Sequence, residues 1–190
     1  MKRHLKQRGI GMIELLIALL VSLVALMGAA GLVVRTVQQE AESYQRLQAL
    51  TLVQDMVDRI NVNRQVVTCY SNGANGEEFG TGVTFGTDVQ DCGSSAQQNR
   101  ADADMLAWHN ALLGASEKDA SDATVNLGAM IDARGCIEQV DAANRLYRVT
   151  VAWQGLSDTV VPTNSCGQNQ YGPETRRRAV SVLVRLANLS

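Results

Sequence analysis

Proline and aromatic side chains are scarce in this chain: among 190 residues there are 2 Pro, 2 Phe, 2 Trp and 4 Tyr, with only 2 His and 4 Cys. Few prolines mean that little prevents long helices, since proline is the residue that removes a backbone donor and breaks a helical run. The two histidines, His4 and His109, and the absence of any Cys-x-x-Cys pair exclude the usual zinc spacing, so no metal is expected. His109 has no nucleophile at a fixed offset, and the Asp and Glu residues show no paired acid/base spacing. The chain is therefore expected not to be an enzyme and to need no cofactor. Gly80-Thr81-Gly82 lacks the Lys-Ser/Thr and the strand-to-helix context of a phosphate cradle. Charged residues make up only 19% and hydrophobic ones 46%, which excludes disorder. Beyond the first nine residues, 13 basic and 19 acidic side chains leave a net charge of -6, which argues against a general nucleic-acid binder.

What is present is a concentrated apolar block. The 25 positions from Ile10 to Val34 hold one charged residue, Glu14, and follow the cations Lys2, Arg3, Lys6 and Arg8. As helix this block reaches about 37 Å, enough to cross a hydrocarbon core of about 30 Å. The basic flank predicts a cytoplasmic start and places everything after Val34 across the membrane. It is longer than the apolar core of a secretory signal. Glu14 is the anomaly, because a carboxylate within a membrane helix costs about 2.5 to 3.5 kcal/mol and calls for a partner. Proximity to Arg8 would also let it snorkel to the interface.

The run Arg8-Gly9-Ile10-Gly11-Met12-Ile13-Glu14 resembles the type IV prepilin signature: a short basic leader ending in Gly, then an apolar stretch with Glu as its fifth residue. The resemblance implies cleavage between Gly9 and Ile10 by a prepilin peptidase on the cytoplasmic side, and N-methylation of Ile10. That family usually has Phe and then Thr or Ser at the first two mature positions, where this chain has Ile10 and Gly11. Loss of the leader would leave one amine beside an apolar helix. In a filament, Glu14 of one subunit would meet the Ile10 amine of a neighbour, each offsetting the other's desolvation.

Beyond Arg35, Val37, Ala41, Tyr44, Leu47, Leu50, Val53, Val57 and Ile60 recur at spacings of three and four, predicting one amphipathic helix to Arg64. Ser71 to Gln98 is rich in Gly, Asn, Ser and Thr and reads as loop. Asp104 is expected to cap a short helix carrying Met105, Trp108 and Leu112 on one face and stopped by Gly114, with His109 exposed and Asp102 also at the helix start. A strand near Cys136 to Val140 precedes stronger alternation in Tyr147–Trp153 and Ala179–Leu186, which predicts antiparallel pairing. The expected class is α+β, the type IV pilin fold: a long N-terminal helix against a small antiparallel sheet with disulfide-stapled loops. The expected division is leader 1–9, transmembrane half 10–34, amphipathic half 35–64 and periplasmic globular head 65–190.

All four cysteines lie on the expected extracytoplasmic side, an oxidising setting. Cys69 with Cys92 and Cys136 with Cys166 would each staple a polar loop to regular structure, worth about 3 kcal/mol apiece in the chain-entropy model. Arg176-Arg177-Arg178 is the one basic run after the leader, and a candidate patch for an acidic partner or phosphates.

The segments Met105–Trp108, Gly135-Cys136-Ile137, Tyr147–Gln154 and Cys166-Gly167, with the valine-rich terminal strand, resemble the PilV-type minor pilins of type IV pili (type IV pilus modification protein PilV). The resemblance implies a protein of the bacterial inner membrane and then of the pilus fibre. It would prime assembly with other minor pilins and the major pilin at the assembly platform, and end near the tip, where an adhesin is carried. Lipid of the inner membrane would surround the helix before assembly. A minor pseudopilin of a type II secretion system and a DNA-binding minor pilin are the alternatives.

Overall fold

The computed structural model describes residues 11–85, 93, 95–115, 117–122, 126 and 130–187. Gly9, Ile10 and Cys92 lie outside these residues. The chain divides into two compact units at Ala41/Glu42. The first unit is helical: α1 spans Met12–Val62 and begins there, without a break at Gly28 or Gly31.

In the second unit α1 continues to Val62, a 3-10 segment follows at Arg64–Tyr70, and a short one at Gly73–Asn75. Then come β1 (Glu77–Gly80), α2 (Ala96–Leu112), β2 (Arg134–Asp141), β3 (Leu146–Gln154) and β4 (Arg177–Arg185). The strands form one antiparallel sheet in the order β1-β2-β3-β4, so this is an α+β fold. The alternation in Tyr147–Trp153 sends Tyr147, Val149, Val151 and Trp153 into one core with Ala49, Val53, Met56 and Ile60 of α1 and Met105, Trp108 and Leu112 of α2.

The stripe read along α1 does not all reach that core. Val53, Val57 and Ile60 are buried, whereas Val37, Tyr44, Leu47 and Leu50 are exposed. Each step of three residues falls about 60° short of a full turn, so the run Ala41, Tyr44, Leu47, Leu50, Val53 winds round the helix instead of following one face.

Two more expectations need correction. The stretch read as loop from Ser71 to Gln98 contains β1, a four-residue strand paired with Arg134–Ile137. Asp104 and Asp102 are not caps, because α2 begins eight residues before Asp104, where Ser95 and Gln98 form a reciprocal capping box. The helix stops where Gly114 takes a φ of 74°, as Gly114 was expected to allow.

On the far face of the sheet, Cys136 is bonded to Cys166 with their Cα atoms 5.9 Å apart. Ala152, Cys166 and Tyr171 are buried together there, which fastens the loop between β3 and β4 onto the sheet. Cys69 is also disulfide-bonded.

Helix and sheet approach closely at Gly135, where a Cβ would lie 2.4 Å from the Trp108 ring. That ring also meets Phe79 edge-on, with centroids 5.2 Å apart. Gly135→Ala is accordingly expected to cost about 1 to 3 kcal/mol by overpacking, read as a lower thermal midpoint in near-UV circular dichroism. An unchanged midpoint would mean that α2 can move off the sheet freely.

Candidate functional site

The first unit carries one feature with chemical consequence, a long apolar helical surface that no other described residue of that unit covers. Every residue from Gly11 to Glu40 is exposed. Met12 is 83% accessible and Val34 58%, and between Gly11 and Val34 Glu14 is the one ionisable side chain. Glu14 lies in the first turn, where its N–H donates to the Gly11 carbonyl at 3.0 Å. The helix is long and apolar enough to cross a membrane.

The second unit holds α1 by three devices. At Glu42 the carboxylate accepts the Ser157 N–H at 3.0 Å, the Ser157 hydroxyl at 2.7 Å and the Arg178 guanidinium at 3.3 Å. Burial opposes ionisation here, but the Ser157 and Arg178 contacts outweigh it and hold the Glu42 carboxyl below its ordinary value of 4.5. Midway, the Trp108 indole N–H donates to the Leu52 carbonyl at 2.8 Å. At the end of the helix, Arg59 reaches Asp55 and Asp104. Asp104 accepts the Tyr70 hydroxyl at 2.7 Å, and the Asn63 amide donates to that same hydroxyl at 3.1 Å. Burial pushes the Tyr70 phenol up, so it stays a donor. Asp104 is thus the anchor of a buried polar network.

His109 is buried, not exposed: the Gly80 N–H donates to its Nδ1 at 3.1 Å, and the Phe85 ring lies 5.7 Å away. Burial lowers its pKa below 6.5 and keeps the imidazole neutral as the acceptor that fixes the end of β1. Among the described residues no group of His, Cys, Asp or Glu is placed to hold a metal.

The structure does not bring Arg176, Arg177 and Arg178 together as a patch. Arg176 ends the 3-10 turn Glu174–Arg176 ahead of β4, and alternation along β4 sends Arg177 and Arg178 to opposite faces. Arg177 is 1% exposed and donates to Glu174 and to the carbonyls of Pro162, Asn164 and Cys166. Arg178 is spent on Glu42, Ser157 and Thr175. Only Arg176 is open to solvent, 3.6 Å from Asp158. The feature that favoured a DNA-binding module is therefore an internal staple of the β3–β4 loop.

Arg177→Ala is expected to cost about 2 to 4 kcal/mol, since it strands several buried carbonyls, while Arg176→Ala stays within about 0.5 kcal/mol. Equal effects in chemical denaturation would restore the patch. Stability should also fall with acid in two stages. The His109 contribution is complete above 6.5 and is lost as pH falls below it, because the unfolded chain takes up the proton first. The Glu42 contribution is complete above 4.5 and is lost as pH falls through its lower folded value. Glu42→Gln should shrink the second stage, to which Asp141 and Glu174, also held below their ordinary values, contribute, and a midpoint that rose with acid would contradict both assignments.

None of the curated proteins or solved structures compared matches the chain significantly. Residues 31–106 match the family model described as Tt1218-like, type IV pilin Tt1218, and over that stretch the chain is similar to that family.

Proposed function

We propose that this chain is a minor pilin, matured by removal of residues 1–9 and N-methylation of Ile10. Residues 10–34 then lie in the inner membrane until the subunit enters a filament, with residues 35–64 leading to a periplasmic head of 65–190. With other minor pilins and the major pilin it primes assembly at the platform, and it remains at or near the tip.

One observation carries the reading: an apolar helical surface, exposed on all sides, bears a single carboxylate in its first turn. Lipid and the helices of other subunits are nearly equivalent surroundings for Leu, Ile and Val, so exchange between them costs little. Glu14 is different, since a carboxylate in an apolar interior needs a counter-charge. The amine created at Ile10 would supply one from a neighbouring subunit. The segments that resemble the minor pilins lie in α2, β2, β3 and the stapled loop, where Trp108, Ile137 and Tyr147 pack the head and Cys136 and Cys166 fasten its loop.

Mass spectrometry of the protein from cells with an active prepilin peptidase should find N-methylated isoleucine as the first residue. Glu14→Ala should leave the amount in the membrane unchanged and lower its recovery in sheared filaments about tenfold or more. Deleting the chain should reduce the number of filaments without altering their subunit repeat. An intact leader, or normal filament entry by Glu14→Ala, would overturn the proposal.

A further inference from the structure

The two edges of the sheet are protected very differently. β1 is four residues long and ends at Gly80, where φ is 90°. β4 pairs nine residues one to one with β3 without a register shift, and contains neither Pro nor Gly. Among the described residues, no hydrogen bond other than those to β3 reaches the backbone of residues 178–185. Edges are normally blunted by shortness, proline, a bulge or charged side chains, and β4 has only the last of these, confined to its ends at Arg177, Arg178 and Arg185. Between its terminal arginines it presents half-buried Val180 and Val182 on one face, and Ala179, Ser181 and Leu183, the last 55% accessible, on the other.

Charge singles out one end of this edge. Arg64, Arg145 and Arg185 are remote in sequence, yet a chain of contacts draws them together. The Arg145 guanidinium donates to the Arg64 carbonyl at 2.8 Å, the Leu186 N–H to the Arg145 carbonyl at 3.2 Å, and Arg185 to the Asn144 side chain at 3.0 Å. Arg64 and Arg185 are exposed, and among the described residues neither is in an ion pair. Asp141 is the acidic group nearby, held below its ordinary value mainly by the Asn144 side chain and least by Arg185.

A second copy of this strand is a poor occupant. Antiparallel pairing centred on Ser181 sets Arg185 beside Arg177, whose charge is already met by Glu174, so it offers Arg185 no carboxylate, and parallel pairing sets two Arg185 ends side by side. The geometry points to a different partner: β4 receives, as a fifth strand, an extended segment of another protein, β-branched in its centre and carrying carboxylates where it meets Arg64 and Arg185. Backbone hydrogen bonds would supply affinity and the arginines would set direction and choice of partner. This inference does not depend on cleavage at Gly9 or on filament entry.

The test uses the full chain in lipid nanodiscs and a synthetic peptide of alternating valine and threonine with two glutamates at one end. Matched peptides end in two lysines, or carry a central proline. Hydrogen exchange of the Arg177–Arg185 amides should slow with the glutamate peptide, and affinity should be about tenfold weaker for the lysine and proline peptides. Arg64→Glu combined with Arg185→Glu should reverse the charge preference. Should those variants lose near-UV circular dichroism, salt titration of the native chain replaces them: added salt should weaken the glutamate peptide and not the lysine one. Unchanged exchange, equal binding of the proline peptide, or no salt dependence overturns the inference. Protection that grows with protein concentration alone also overturns it and assigns the edge to a second copy.

Discussion

The apolar half of α1 sets the terms for everything else, because nothing in its own unit covers it. The fifteen large apolar side chains exposed from Met12 to Val34 would, facing water, cost on the order of tens of kcal/mol, at roughly 1.5 to 3 kcal/mol each. That penalty exceeds the net stability of an ordinary domain. The surface must therefore always be occupied, by lipid or by other protein, and a helix occupied by either is in nearly the same free-energy state. Small interactions can then decide between the two, and under the proposed function the carboxylate of Glu14, the one charged side chain from Gly11 to Val34, would be the group that does so.

The second unit solves the opposite problem, that of holding a helix firmly. Glu42, Leu52 and the Arg59–Asp104–Tyr70 network grip α1 at three heights by polar contacts, and Val53, Met56 and Ile60 fill the core between them. Each polar contact uses a buried or half-buried partner whose own valences are largely filled, which is the condition for such groups to be tolerated. The Cys136–Cys166 bond and Arg177 do the same for the β3–β4 loop, one covalently and one through carbonyls. Side chains that looked like surface chemistry, Arg177 and His109 above all, are fastenings.

Much of this could be read from residue order. Continuous apolarity gave the helix, strict alternation gave β3 and β4, and Gly114 gave the stop of α2. Failures came where local pattern and tertiary context diverge. β1 is Glu-Glu-Phe-Gly, a strand only because β2 offers it an edge, and no periodicity of four residues can announce that. The start of α2 was legible in the Ser95–Gln98 capping spacing, but the polar first turns that follow concealed it. Tyr44 and Leu47 obeyed a three-and-four spacing that drifts round the helix. The arginine cluster of Arg64, Arg145 and Arg185 has no sequence signal, because the turn at Arg145 and the end of β4 bring it together only in the folded chain.

The central claim is that one apolar surface exchanges lipid for protein without the head changing its fold. A photo-crosslinking amino acid at Leu23, at the middle of the exposed run, tests it most directly. The account predicts adducts to lipid in membranes and to other subunits' helices in sheared filaments, with the thermal midpoint of the head unchanged between the two. Adducts confined to lipid in both preparations, or to the chain's own head, would contradict it.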